Sequence, residues 1–343
     1  DVVVFEQGWA ARDLTRDIGA PKAIDDVIVW TDPKDALVAG AYPSADGLVL
    51  LRRDGGGTWT WQNLASELPG ARVPVRSLTQ FVSGEGTGQV VVIAGIAADG
   101  SLVAYRQTGA QVGSDWSYAF DDISADLTAQ GMATPELDGL ISYRPAWDAW
   151  HLAGLTPEGE IVSVWVAPSS FQDWRLDNLS DVTGAQPLAG GLSVILTSWS
   201  GINLTGLDDD GHVIVTWWVP AFGGDWNAND LTTDFEAPVL TGGVLTSYYT
   251  SWDGMNYAGL NELGEVTIYW WVPQLAGSWE VSVVTQGQPG IAERPAGGLT
   301  SHASDGGTLN IFGADEDGDV VRVWWAPGAA WTLENLSETA TRV

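Results

Sequence analysis

The chain has 343 residues, 45% of them hydrophobic, with 44 Asp plus Glu against 14 Lys plus Arg, a formal net charge of -30 and no cysteine. So acidic a surface repels phosphate backbones, which argues against nucleic acid as a partner, and the lack of cysteine excludes disulfides and Cys-based metal sites. No apolar run reaches the roughly 18 to 20 residues of a membrane-spanning helix, so no membrane insertion is expected.

The chain begins at Asp1, partway through a repeat, and is expected to be an excerpt of a longer polypeptide. Val2 to Phe5 and Trp9 to Thr15 read as a first pair of strands. At Trp9 a pattern starts that recurs down the chain: an aromatic, three residues, then an Asn/Asp-Leu-Ser/Thr-like triplet, as in Trp9 with Asp13-Leu14-Thr15. Further copies begin at Trp59, Tyr118, Trp174, Trp226, Trp279 and Trp331, 50 to 59 residues apart. Two are degraded, Asn63-Leu64-Ala65 and Val283-Val284-Thr285. Periods of this size mark a propeller, solenoid or array, in which each unit covers its neighbour's apolar faces.

From Trp174 onward each period resolves into four strand-like runs. The first follows a Pro and a Gly pair, as in Pro187 to Leu192, Pro238 to Val244 and Pro295 to Leu299. The second is Asn203 to Leu207, with counterparts Asn256 to Leu260 and Asn310 to Ala314. Turns at Asp210-Gly211, Leu263-Gly264 and Asp317-Gly318 lead into the third, Val213 to Trp218, Val266 to Trp271 and Val320 to Trp325, each stopped by Pro220, Pro273 or Pro327. The fourth carries the repeated aromatic. Short runs rich in Val, Ile, Thr, Tyr and Trp, bounded by Gly, Pro and Asp, are strands of an antiparallel meander, and no helical period is visible.

Four antiparallel strands per period predict an all-β fold, a β-propeller formed by residues 1–343 as one domain. The first and second strands occur six times and the third and fourth seven, giving six complete blades and an extra N-terminal strand pair as a partial seventh. Stacked blades are expected to bury the pairs Trp217-Trp218, Trp270-Trp271 and Trp324-Trp325, where the first half of the chain has Glu6-Gln7, Arg52-Arg53 and Arg106-Gln107.

An aromatic-led strand ending near Leu, then Gly-Leu-x-Ser, an apolar strand into Asp-Gly and a Trp-bearing strand resembles the tectonin-type lectin propellers. That resemblance implies glycan sites in or between blades, without designating residues. Gly-His and Trp-Asp dipeptides do not recur at matching places in every repeat, as WD-repeat proteins would show, and Asp54-x-Gly56-x-Thr58-Trp59 only approaches a sialidase Asp-box, with Arg52 in place of its Ser.

The turn between the first and second strands holds Trp147, Trp199 and Trp252 in three consecutive repeats. In a meander that turn lies at the same end as the turn carrying Phe171, Phe222 and Leu275, so one end should be aromatic. Each ring either folds over its own or the next blade or forms a ligand platform, and the ligand-binding candidates are Trp147, Trp199, Trp252, Phe171 and Phe222. The opposite end is acidic; Asp315, Asp317 and Asp319 have the spacing of a calcium loop but lack its later bidentate Glu, so they read as a turn and no obligatory ion or cofactor is expected. His151, His212 and His302 fall in different repeats and share no ligand spacing, and no Gly-x-Ser-x-Gly elbow occurs. The leading expectation is a non-catalytic extracellular or bacterial cell-surface module that binds glycan or a cell-surface partner, with neighbouring domains of the same polypeptide as further partners. A structural spacer of a large surface protein is the alternative, and a glycoside-processing enzyme the weakest.

Overall fold

The computed structural model describes residues 3–6, 10–25, 27–31, 38–68, 70–83, 90–108, 117–167, 173–273, 275, 277–286, 295–304 and 306–342. They fall into two compact units, one of Asp1–Pro157, Val162–Asp177 and Thr341–Val343, the other of Glu158–Ile161 and Asn178–Ala340. Six four-stranded sheets are present, each a meander of neighbours in chain order. Blade 1 is Ile28–Thr31, Val38–Ser44, Gly47–Arg53 and Trp59–Asn63; blade 2 is Pro74–Ser83, Val90–Ala97, Leu102–Gln107 and Tyr118–Asp122. Blade 3 is Asp138–Tyr143, Trp150–Leu155, Ile161–Val166 and Arg175–Asn178. These belong to the first unit, save Ile161 and Asn178. The second unit holds blade 4 (Gly190–Leu196, Ile202–Leu207, Val213–Trp218, Trp226–Asp230), blade 5 (Leu240–Tyr249, Met255–Asn261, Val266–Trp271, Glu280–Val283) and blade 6 (Gly297–Ala303, Leu309–Ala314, Val320–Trp325, Thr332–Asn335). The extra N-terminal pair forms an antiparallel hairpin, Val3–Glu6 with Ala10–Asp13, and Thr341–Arg342 joins the latter in parallel. These three strands do not complete a seventh blade.

The repeated triplet is more than a strand end, and here the expectation that no helix occurs is corrected. Its Leu, or Ile123 in blade 2, opens a short helix after the aromatic-led strand: α1 Leu14–Ile18, α2 Leu64–Glu67, α3 Ile123–Ala129, α4 Leu179–Thr183, α5 Leu231–Asp234 and α6 Leu336–Thr339. The preceding Asn or Asp caps it, Asn178 accepting from the Asp181 N–H and Asp230 from the Thr233 N–H, which satisfies donors that a helix start leaves open. The Leu is buried in every intact copy. The third residue reaches back to the third strand: the hydroxyls of Ser124, Ser180, Thr232 and Ser337 accept the N–H of Leu102, Ile161, Val213 and Val320 at 2.8 to 2.9 Å. In the degraded copy of blade 5, Thr285 still accepts the Val266 N–H at 2.9 Å, although residues 284–286 form a turn in place of a helix start. A helix of four to seven residues has too few turns to display a period, so only the cap could announce it.

Thr232 also meets the Tyr269 hydroxyl of the next blade at 3.0 Å. Thr232→Val, which keeps the shape and removes the acceptor, should therefore cost about 1 to 3 kcal/mol in a denaturant melt, the penalty of a stranded buried N–H. A change within error would show that water replaces the hydroxyl.

The Gly pair before each first strand forms a bulge: the register slips between Gly190 and Ser193, Thr241 and Leu245, and Gly297 and Thr300, with Gly191 at φ 70° and Gly298 at φ 60°. Beyond the bulge, hydroxyls join successive first strands. Ser247 Oγ donates to Val194 O at 3.3 Å, Ser301 Oγ to Ser247 O at 3.0 Å, and Ser142 Oγ to Gln80 O at 2.7 Å. The Ser of Gly-Leu-x-Ser thus ties one blade to the one before it.

At the acidic end the carboxylates form turns. Asp208 Oδ1 accepts the N–H groups of Asp210 and His212 at 3.0 and 2.8 Å, Asp315 Oδ1 those of Asp317 and Asp319 at 3.0 and 2.8 Å, and Asn261 repeats the arrangement in blade 5. Asp319 also accepts from the helix cap Asn335 at 3.1 Å. Gly211, at φ 81°, sits where a Cβ would lie 2.1 Å from the Leu240 carbonyl of the next blade, so the turn needs glycine twice over.

The Trp pairs differ from expectation. Neighbouring blades leave Trp217, Trp218, Trp270, Trp271, Trp324 and Trp325 half-buried at the ends of their strands, while the core lies in the preceding residues such as Val213, Ile214 and Val215. Trp270→Ala should accordingly cost less than the roughly 3 to 5 kcal/mol of a fully buried ring.

Candidate functional site

Registering the blades on one another brings four positions into a column. The second strand contributes His151, Asn203, Asn256 or Asn310; the third contributes Ser163, Val215, Ile268 or Arg322 and, two residues on, Trp165, Trp217, Trp270 or Trp324. The fourth strand completes it with Asp177, Asn229, Ser282 or Glu334. Alternation along a strand puts all of these on one face. The fourth-strand side chain is the acceptor for the indole: Asp177 takes the Trp165 Nε1–H at 2.7 Å, Asn229 that of Trp217 at 2.9 Å, and Ser282 Oγ that of Trp270 at 3.0 Å. These bonds set the ring planes. The signal for them was legible but unread: each acceptor lies 12 residues beyond its Trp.

In the second unit two of these columns face a groove closed by the next blade. The first, 280 Å³, has Asn203, Trp217 and Asn229 of blade 4 on one wall and Trp271, Trp279 and Met255 of blade 5 on the other. The second, 290 Å³, repeats it one blade on with Asn256, Trp270 and Ser282 facing Trp325, Trp331 and Leu309. Among the described lining residues of either groove there is no Lys or Arg. The floor amides are anchored by donation, Asn203 Nδ2 to Ile195 O at 3.4 Å and Asn256 Nδ2 to Gly254 O at 3.1 Å, and no bond occupies either Oδ1 among the described residues. In blade 6 the same oxygen, of Asn310, accepts from Arg322 Nε at 2.9 Å, and that guanidinium lies 4.8 Å from the Trp324 ring centre and 3.4 Å from Glu334.

Of the predicted turn aromatics, Trp199, Phe222 and Trp252 line these grooves. Trp199 closes the first, edge-on to Trp271 at 5.8 Å and Tyr249 at 6.2 Å; Trp252 closes the second, edge-on to Trp325 at 6.1 Å. Both are half-buried, each ring folding against a Trp of the next blade while part of it faces the groove. The turns also bond to each other, Ser198 Oγ and Tyr249 OH both donating to Asp253 Oδ1, at 2.9 and 2.7 Å. Phe222 is 73% exposed at the rim of the first groove, 6.2 Å from Trp217, and Leu275 stands at the rim of the second. Trp147, in the first unit, is exposed and lines neither groove. Phe171 lies outside the described residues.

The other candidates stay apart. Asp315, Asp317 and Asp319 are engaged as a turn, and among the described residues no group of three or more His, Asp or Glu is placed to hold a metal ion. His212 bonds Asp230 at 2.8 Å at the acidic end. His151 Nδ1 lies 3.2 Å from Ser163 Oγ, but the Ser is 2% exposed and out of reach of a substrate. A third hollow, in the first unit, is lined by Arg72 and Arg76, whose guanidinium groups are paired with Asp99, Asp122 and Asp138 at 2.9 to 3.3 Å.

No protein-family model and no curated protein sequence matches the chain. Solved structures do. The BP39L lectin from Burkholderia pseudomallei superposes with a TM-score of 0.66 at 14% identity, over 89% of this chain and 82% of its own. The Aleuria aurantia lectin, described as a six-bladed β-propeller with a novel fucose recognition mode, superposes at 0.55 and 12% identity, over 91% and 94% of the two chains. AofleA from Arthrobotrys oligospora gives 0.55 and 13% over 91% and 86%. The fold is a six-bladed β-propeller. The likeness to these lectins is one of fold, and it does not single out the tectonin type read from the sequence. No helix among the described residues is long and apolar enough to cross a membrane.

Proposed function

We propose that the protein is a non-catalytic glycan-binding module, exposed outside the cell or on a bacterial surface, and that sugars lie in the grooves of blades 4 to 6. One observation carries this reading: the same groove is built twice, with four Trp rings around an amide oxygen that no bond occupies among the described residues. Stacked indoles cover the apolar face of a pyranose, and Asn203 or Asn256 Oδ1 accepts a sugar hydroxyl. The fold it shares with lectins, one of which is described as recognising fucose, supports the same reading. Two grooves one blade apart engage a branched or repeated glycan with higher avidity than either alone.

A glycan array of neutral, fucosylated and charged sugars identifies the ligand, and Trp199→Ala with Trp252→Ala should abolish retention on it. Because both rings are half-buried against the next blade, each change also costs about 1 to 2 kcal/mol of stability, so binding is compared well below the melting temperature. Loss of stability with no sugar bound by the parent protein would assign the rings to packing and the protein to the structural alternative.

A further inference from the structure

The two grooves have the same aromatic walls but not the same charge. The polar side chains that line the blade 5 groove among the described residues are Asn256, Ser282 and Tyr248, with no carboxylate. The blade 4 groove adds a carboxylate, Asp234, carried on the first turn of α5. Asn229 holds it, Nδ2 donating to Asp234 Oδ2 at 3.2 Å while its own Oδ1 accepts from Trp217; among the described residues only Oδ2 of the carboxylate is engaged. Among the described residues no Lys or Arg lines the groove to neutralise it. The segment 178–340 contains two arginines and no lysine; Arg322 belongs to the column of blade 6, and Arg294 lies outside the described residues.

We propose that the groove between blades 4 and 5 takes a glycan bearing a free amine, read by Asp234 and by the faces of the surrounding Trp rings. The inference rests on the glycan reading above and deepens it. A protonated amine is attracted both to a carboxylate and to the negative face of an indole, and this groove presents Trp199, Trp217, Trp271 and Trp279 beside Asp234. An acidic sugar would set a second carboxylate against the first, and an N-acetyl group would leave Asp234 without a counter-charge. The field of a chain of net charge -30 concentrates cationic ligands in the same direction.

The test is a set of fluorescence or calorimetric titrations of the whole chain with methyl glucosaminide, methyl N-acetylglucosaminide, methyl glucoside and methyl glucuronide, at low salt and at a pH where the amine is protonated. The amine should bind about tenfold more tightly than the glucoside, a preference of the size that one partly screened charge pair supplies. It should fall to about twofold or less in roughly 0.5 M salt and in Asp234→Asn, which retains the length of the side chain that Asn229 holds. The glucuronide should bind most weakly. Equal binding of amine and glucoside, or a preference that survives in Asp234→Asn, overturns the inference while leaving the glycan reading intact. Failure of every sugar, with no hit on the array, overturns both.

Discussion

Leu231→Ala should lower the unfolding free energy by about 2 to 5 kcal/mol, the cost of removing most of a buried Leu and leaving a cavity. The side chain is 3% exposed and belongs to a core cluster with Val213, Val215, Leu240 and Tyr269, drawn from two blades. A hole there loosens the contact between blades as well as one blade's own packing. Leu179→Ala and Leu336→Ala, at the same place in blades 3 and 6, should behave alike, because both side chains are buried to the same degree. Val182→Ala in α4, where the side chain is 62% exposed, is the control and should change stability by less than about 0.5 kcal/mol. Urea melts followed by Trp fluorescence give the comparison; a Leu231→Ala loss of under about 1 kcal/mol would mean that the blades repack around the hole and that the triplet is kept for its cap and hydroxyl instead.

Much of this architecture was legible because a blade is short and repeats. Asp-Gly turns, Pro stops and the aromatic spacing located the strands of blades 4 to 6. Two things could not be read in that way. The triplet was visible as a pattern, but its Asn or Asp, its Leu and its Ser or Thr act on three different partners, and only coordinates separate capping from core packing from the bond to the third strand. The Trp pairs, expected to be buried between stacked blades, are only half-buried: Trp217 and Trp271 line the first groove and Trp270 and Trp325 the second, where the next blade covers part of each ring. The turn residues Trp199 and Trp252 were legible as aromatics between the first and second strands; that each shares a groove with two Trp rings of the following blade depends on register between repeats, which a single repeat does not encode.

The same column makes blade 3 sensitive to acid. His151 stands where those blades have Asn203 and Asn256, stacked between Tyr143 at 4.6 Å and Trp165 at 5.8 Å, 8% exposed, with no partner for Nε2. Burial pushes its pKa down to about 4, against an ordinary imidazole value of about 6.5, since a charge on this ring would be desolvated without an acceptor. The folded state therefore prefers neutral His151, and the unfolded state binds its proton first: stability is constant above about pH 6.5 and falls as the pH drops from there to about 4, by about 3 kcal/mol in all. Asp126, whose pKa burial and the neighbouring Asp121 and Asp122 raise, acts with the opposite sign, adding stability as the pH falls through its folded value. His212, whose pKa Asp230 raises, contributes stability that is complete below about pH 6.5 and is lost only as the pH rises through its folded value. Asp230 and Asp138 have lowered pKa values and lose their contribution only as the pH falls below the usual carboxylate range. Denaturant melts at pH 7, 6, 5 and 4 should thus show a steady decline that His151→Asn, which installs the residue of the three following blades, removes. If the variant declines as steeply as the parent protein between pH 6.5 and 4, the acid limb belongs to carboxylates and His151 is not its source.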